Sequence, residues 1–345
     1  MKFEWPQGLP ATLTCIDKIQ ETADCFSIKL SANSGERFDF KPGQFVSLGF
    51  EINGKVEYRA YSISSLPEQD YLQLTIKRVD SGKVSNYILD KLSIGDTVLC
   101  LAPTGNFNCI DHPARNDKAL LLSAGCGITP VYAMAKHWLA QQVNIDIAFV
   151  HIARSASETI YLEELAQLDS QHANFHLNLL LKDATDTPYH QGRFDADWLV
   201  NLAADYQQRT VYLCGPEQFM RDSKGYLEAL QFDMNEFYQE SFTPIAEANQ
   251  NQEHVQNDQA TVTVESFGKT FQAQHGATLA DSLEAEQLPI IIACRSGICG
   301  SCKCKVTDGS VKSLSVGPLS AEEVEQGYVL ACSSTIEGDL ALELS

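Results

Sequence analysis

Four cysteines near the C-terminus, Cys294, Cys299, Cys302 and Cys332, constrain this chain more than any other feature. Three lie in Cys-Arg-Ser-Gly-Ile-Cys-Gly-Ser-Cys and the fourth in Gly-Tyr-Val-Leu-Ala-Cys-Ser. That C-x4-C-x2-C…C spacing is the plant-type pattern of thiolates around a [2Fe–2S] cluster. A loop that wraps a cluster must turn sharply, and Gly297 and Gly300 permit positive-φ turns that bring backbone N–H groups near the sulfurs. A structural zinc site favours paired C-x2-C units, and only one is present. Four ordinary buried thiols would leave both the spacing and the glycines without a reason. The chain is expected to move electrons one at a time. Cys304, two residues beyond Cys302, is read either as a competing ligand or as a small buried residue, the second being favoured.

At 345 residues the chain is too long for one ordinary core and suits two or three domains. Hydrophobic residues at 44% and charged residues at 20% suit soluble globular domains rather than a disordered chain. No apolar run is long enough to span a bilayer, and the first residues lack the basic and apolar segments of a secretory signal. Eleven cysteines in that context point to a reducing, cytoplasmic setting in which thiols are ligands or core residues. A net charge of −20 argues against nucleic-acid and anionic-membrane partners.

Residues 1–113 alternate apolar and polar side chains in short runs, such as Phe45–Phe50 and Tyr71–Lys77, with Asn53-Gly54 as a hairpin signal. Such strands and turns predict an antiparallel β-barrel. Over 114–243 the texture changes. Ala119–Ala124 is a continuous apolar run, followed by Gly-Cys-Gly-Ile-Thr-Pro and a helix expected from Val131 to about Gln142. Further apolar strands at Ile145–Val150, Phe175–Leu181 and Thr210–Leu213 alternate with helix-like segments, which predicts an α/β doubly wound parallel sheet. Residues 244–259 are polar and Gln/Asn-rich, and read as a linker. Residues 260–345 are expected to open with a hairpin, Thr261–Glu265 and Lys269–Ala273, then a short helix with Thr278 as its N-cap, then the cysteine loop.

Gly125-Cys-Gly127-Ile-Thr129-Pro follows the first strand of the second domain, where glycines allow a pyrophosphate close to the backbone and the next helix presents its positive end. After the strand ending at Val150, Arg154 is followed by Glu158, Glu163 and Glu164 and by no lysine. That balance favours NADH over NADPH, whose 2′-phosphate needs cations. Arg154 then contacts the adenosine or is a surface charge.

Arg59-Ala-Tyr61-Ser62, Gly82-Lys-Val84-Ser85, Ser-Ala-Gly-Cys-Gly-Ile-Thr-Pro, Cys214-Gly215-Pro216 and Glu240-Ser-Phe242-Thr-Pro, together with the cysteine loop, resemble the ferredoxin–NADP reductase superfamily with a C-terminal plant-type ferredoxin domain. The resemblance covers nearly the whole chain. It implies a multidomain fold: a flavin-binding antiparallel barrel, an NAD-binding α/β domain and an α+β ferredoxin-like β-grasp domain. It implies that Tyr61 packs on the flavin ring, Arg59 pairs with phosphate, Ser62 bonds near the reactive N5, and the Gly82–Ser85 amides hold the remaining oxygens. It places Cys214 beside the nicotinamide, so that Ser62 and Cys214 shape hydride transfer, and Phe242 near the flavin face. FAD is the expected flavin, with FMN the alternative. The activity implied is an NADH-dependent reductase feeding a separate metalloprotein, hybrid-cluster protein first and an oxygenase or acyl desaturase second. A redox-sensing module is the alternative of another class.

Overall fold

The computed structural model describes residues 1–6, 9–32, 35–242, 259–295, 297–315 and 318–344. They form two compact units, the first comprising Met1–Lys55 and Tyr61–Phe242 and the second comprising Val56–Ala60 together with the C-terminal sheet.

The first sheet contains β1 (Ala11–Thr22), β2 (Cys25–Ser31), β3 (Phe45–Ile52), β4 (Lys55–Ser62), β5 (Tyr71–Lys77) and β6 (Thr97–Cys100), in the antiparallel order β4-β3-β6-β1-β2-β5. The two-residue turn at Asn53 (φ 55°) and Gly54 (φ 77°) takes the positive-φ form whose twist suits a hairpin. An antiparallel bridge between Ile63 and Leu74 brings the end of β4 to β5 and closes the sheet into the expected barrel. Alternate residues, among them Leu13, Ile28, Leu30, Leu72, Leu74 and Ile76, fill its core. Helix α1 (Lys83–Asp90) adds Val84, Ile88 and Leu89 to that core.

The second sheet is parallel: β7 (Lys118–Ala124), β8 (Asp146–Ala153), β9 (Phe175–Leu181), β10 (His190–Gln191), β11 (Thr210–Cys214) and β12 (Phe237–Glu240), in the order β10-β9-β8-β7-β11-β12. Helices α2 (Ile128–Ala140), α3 (Leu162–Gln171), α4 (Ala196–Leu202) and α5 (Glu217–Ala229) accompany it. Both of its faces are buried, which is why its strands read as unbroken apolar runs. The strand order reverses between β7 and β11, so the carboxyl ends of those strands open the crevice where such sheets bind ligands. Helix α2 begins at Ile128 rather than Val131. Pro130 falls in its first turn, where the N–H it lacks would have had no intrahelical acceptor.

The C-terminal unit holds β13 (Gln259–Val264), β14 (Lys269–Gln274), β15 (Lys303–Ser313), β16 (Tyr328–Leu330) and β17 (Ser334–Leu344), in the order β14-β13-β17-β15-β16. β13 runs parallel to β17 and the other pairs are antiparallel, with α6 (Leu279–Ala285) packed into the core and α7 (Ala321–Glu325) following β15. This is the β-grasp arrangement. Thr278 caps α6, its hydroxyl accepting from the Asp281 N–H at 3.3 Å. The linker expected over 244–259 lies outside the described residues except Gln259, which opens β13. No helix among the described residues is long and apolar enough to cross a membrane.

Candidate functional site

Strand β4 delivers Arg59, Tyr61 and Ser62 to its C-terminal end. Tyr61 packs against the barrel core while remaining partly exposed. The Arg59 guanidinium donates to Tyr58 O at 2.6 Å. Ser62 is only 3% exposed and its Oγ has no hydrogen-bond partner among the described residues. Leaving a buried hydroxyl unpaired costs about 1–3 kcal/mol, so a ligand atom that pairs with it fits this position. Gly82 caps α1 without contributing a side-chain acceptor, and Val84 and Ser85 follow in the first turn. A Cβ on Gly82 would lie 2.4 Å from Ser85 Oγ and 3.0 Å from Val79 O. The turn therefore closes tightly at the N-terminus of α1, the end of a helix that favours an anion.

In the parallel sheet, two motifs far apart in sequence meet. A Cβ on Gly127 would lie 2.1 Å from Cys214 O and 2.5 Å from Gly215 N, so the Gly125–Gly127 turn presses directly on the peptide joining Cys214 to Gly215. Gly125 has φ 53°. Thr129 Oγ1 donates to Cys126 O at 3.0 Å and fixes the turn as it enters α2, while Pro216 caps α5. Cys214 is fully buried, and that burial pushes its thiol well above the ordinary range, so it stays neutral. Arg154, just beyond β8, has a side chain 78% exposed and pairs with Glu158 at 3.4 Å. Phe242 lies two residues past β12 and is 46% exposed.

Register aligns Glu240, Cys214, Ser123 and His151 in one row across β12, β11, β7 and β8. Ser123 Oγ lies 2.9 Å from His151 Nδ1, and burial pushes that imidazole down to about 3, so it is neutral at physiological pH. Sequence reasoning passed over Ser123, His151 and the neighbour relation of Glu240 to Cys214. The available signal was a polar residue near the end of each apolar strand, but only the register reveals the row.

The cysteine loop is built by its glycines and anchored by a residue that the spacing did not single out. Gly297 has φ 69° and Gly300 φ 74°. A Cβ on Gly297 would lie 2.7 Å from Ser315 Cβ, and Ser315 Oγ donates to Gly297 O at 2.9 Å. The Cys332 N–H donates to Cys302 Sγ at 3.5 Å, and Ser301 Oγ sits 3.1 Å from Cys299 Sγ. Cys294 lies against both Cys299 and Cys332 and pushes both thiols up. Sulfurs crowded in this way make a donor set suited to cationic iron, which is the chemistry a [2Fe–2S] cluster needs. Arg295, at φ 54°, forms ion pairs with Asp281 at 2.9 Å and with Glu284, and so ties the loop to α6. Cys304 is fully buried in the domain core, with its thiol 4.0 Å from Val329 O, and belongs to the packing.

Three family descriptions match in order along the chain: "Oxidoreductase FAD-binding domain" over residues 10–109, "Oxidoreductase NAD-binding domain" over 121–225, and "2Fe-2S iron-sulfur cluster binding domain" over 262–337. The glycine betaine monooxygenase reductase subunit of Pseudomonas aeruginosa (strain UCBPP-PA14) is 36% identical, covering 95% of this chain and 94% of its own. NADH oxidoreductase HCR of Escherichia coli (strain K12) is 32% identical over 94% of each. The crystal structure of phthalate dioxygenase reductase superposes with a TM-score of 0.65 at 22% identity, over 97% of this chain and 98% of that one, and shares the modular fold. The chain is an oxidoreductase that uses FAD, NADH and a [2Fe–2S] cluster for electron transfer. A barrel, a doubly wound sheet and a β-grasp domain in this order, matched along their lengths, place it in the ferredoxin–NADP reductase family, among the members with a C-terminal 2Fe–2S domain.

Proposed function

We propose that this chain is the reductase component of a two-component system and that its acceptor is a separate oxygenase. The reading is carried by the occurrence, within one chain, of a flavin strand, a dinucleotide crevice and a four-cysteine loop. Relatives named as reductase subunits, for glycine betaine monooxygenase at 36% identity and for stachydrine N-demethylase at 33%, support an oxygenase acceptor. Hybrid-cluster protein, ranked first on motifs alone, is the second reading, and the relative named NADH oxidoreductase HCR supports it.

In this reading residues 1–113 bind FAD, 114–243 bind NADH and 260–345 hold the cluster, with 244–259 as the connection. Arg59 holds phosphate, Tyr61 stacks on the ring, and Ser62 pairs its buried hydroxyl with the flavin. Gly82, Val84 and Ser85 hold the pyrophosphate on the first-turn amides of α1. Gly125, Gly127 and Thr129 let the dinucleotide approach the backbone, Arg154 contacts the adenosine, and Cys214, Gly215 and Pro216 border the nicotinamide. As a neutral thiol, Cys214 offers that ring a close contact free of charge. Phe242 covers the flavin face. Cys294, Cys299, Cys302 and Cys332 ligate the iron. FAD supplies hydride acceptance followed by single-electron release.

Anaerobic mixing with NADH tests the reading. Flavin absorbance and then the cluster bands should bleach, and a purified oxygenase component should be reduced faster than hybrid-cluster protein. Absence of bleaching would leave the redox-sensing alternative, and the opposite acceptor order would overturn the oxygenase assignment.

A further inference from the structure

A buried line of hydroxyls connects the two cofactor-binding parts of the first unit. Tyr161 is fully buried, stacks on Tyr132 with ring centroids 4.3 Å apart, and sits at φ 60° as the residue preceding α3. A bulky residue in that conformation is strained and persists only where its surroundings require it. Its OH donates to Ser64 Oγ at 3.0 Å and meets Thr75 Oγ1. Thr75 Oγ1 lies 2.6 Å from Ser27 Oγ, and Ser27 Oγ meets Glu21 Oε1. At the other end, Ser64 Oγ donates to Gln73 O at 3.1 Å.

At one end Ser27 Oγ donates to Glu21 Oε1, and at the other Gln73 O accepts from both the Ser64 N–H at 2.8 Å and Ser64 Oγ. Between them each hydroxyl can both donate and accept, so the links form one continuous line. Glu21 is half-buried, and desolvation raises it above the usual carboxylate range. The charged groups facing it are Glu164 on α3, which adds to the rise, and Lys29 on β2, which opposes it. Lys136 of α2 approaches the same region, with its Nζ 3.4 Å from Ser64 O and 4.9 Å from the Tyr132 ring centroid.

The two ends of the chain are functional places. Ser64 lies two residues after Ser62, and Tyr161 lies three residues after Glu158, at the carboxyl end of β8 where a dinucleotide docks. We propose that Tyr161 is a positioning residue: through this hydroxyl chain it ties the dinucleotide-binding segment after β8 to the flavin-bearing end of β4, with Glu21 as the terminal acceptor. The inference rests on the assignment of the flavin and dinucleotide to these two segments.

Hydrogen exchange on the oxidised holoenzyme, with and without NAD+, reads the coupling without turnover. NAD+ should slow exchange both in 153–161 and in 62–76 of the wild type. In Tyr161→Phe, which keeps the ring stack, protection should remain in 153–161 and vanish from 62–76. NAD+ affinity should stay within about twofold, while flavin reduction at saturating NADH falls about 10-fold. Ser64→Ala, which removes the acceptor, should behave likewise and stands in if Tyr161→Phe folds poorly. Persistent protection of 62–76 in both Tyr161→Phe and Ser64→Ala would overturn the coupling alone. Wild-type protection in neither segment would overturn the dinucleotide assignment and the coupling with it.

Discussion

The cysteine loop and the dinucleotide crevice are both tight backbone turns shaped by glycine, yet they are assembled in opposite ways. Three of the four expected iron ligands lie within Cys294–Cys302, so local turns at Gly297 and Gly300 do most of the gathering. In the crevice, Gly127 and the Cys214–Gly215 peptide come from different βα connections and meet only because β7 and β11 are hydrogen-bonded neighbours. A local site depends on its own loop. A site made by strand pairing depends on the sheet, and damage to either partner should be felt as lost stability as well as lost binding.

The largest effect that separates the two is expected from Cys302→Ser. It should abolish the cluster's absorbance and acceptor reduction while NADH still reduces the flavin at the wild-type rate, which stopped-flow spectra would show. Loss of flavin reduction as well would break the contrast. Gly127→Ala comes next. Its Cβ would need the space held by Cys214 O, 2.1 Å away, so unfolding by denaturant should show a loss of about 1–3 kcal/mol together with a raised KM for NADH and an intact cluster.

A pH series sharpens the same point within the sheet. His151 is held neutral by burial, down to about 3 against an ordinary 6.5, so the unfolded chain takes up the proton first on acidification. Its contribution to stability is complete above the unfolded value and is lost as pH falls from there, by about 1.4 kcal/mol per pH unit. Unfolding midpoints of wild type and His151→Gln should converge as pH drops below about 6.5, and parallel curves would refute the buried neutral ring. The smallest effect is expected from Glu158→Gln. Its exposed pair with Arg154 should be worth under about 0.5 kcal/mol, while the preference for NADH over NADPH should relax by about threefold, read from kcat/KM ratios.

What the residues disclosed in advance follows the same division. Candidate iron ligands could be proposed from spacing, because thiolates at fixed intervals have few other uses. Barrel and sheet could be told apart by alternating against continuous apolar runs, and Asn53-Gly54 marked its hairpin. Helix α2 begins three residues before the expected Val131, at Ile128, since a first-turn proline breaks no helical bond. Ser123, His151, Glu21 and Tyr161 were invisible for a different reason. Each is an ordinary residue whose meaning lies in a register or a contact with a distant strand. Arg295 lies inside the cysteine motif itself, yet its pairing with Asp281 and Glu284 requires knowing where α6 lies.

That last pairing bears on how the cofactor is held. Because Arg295 pairs with Asp281 and Glu284, the cysteine loop is moored to α6 as well as shaped by its own turns, so a change that loosens that helix would also loosen the seat of the cluster.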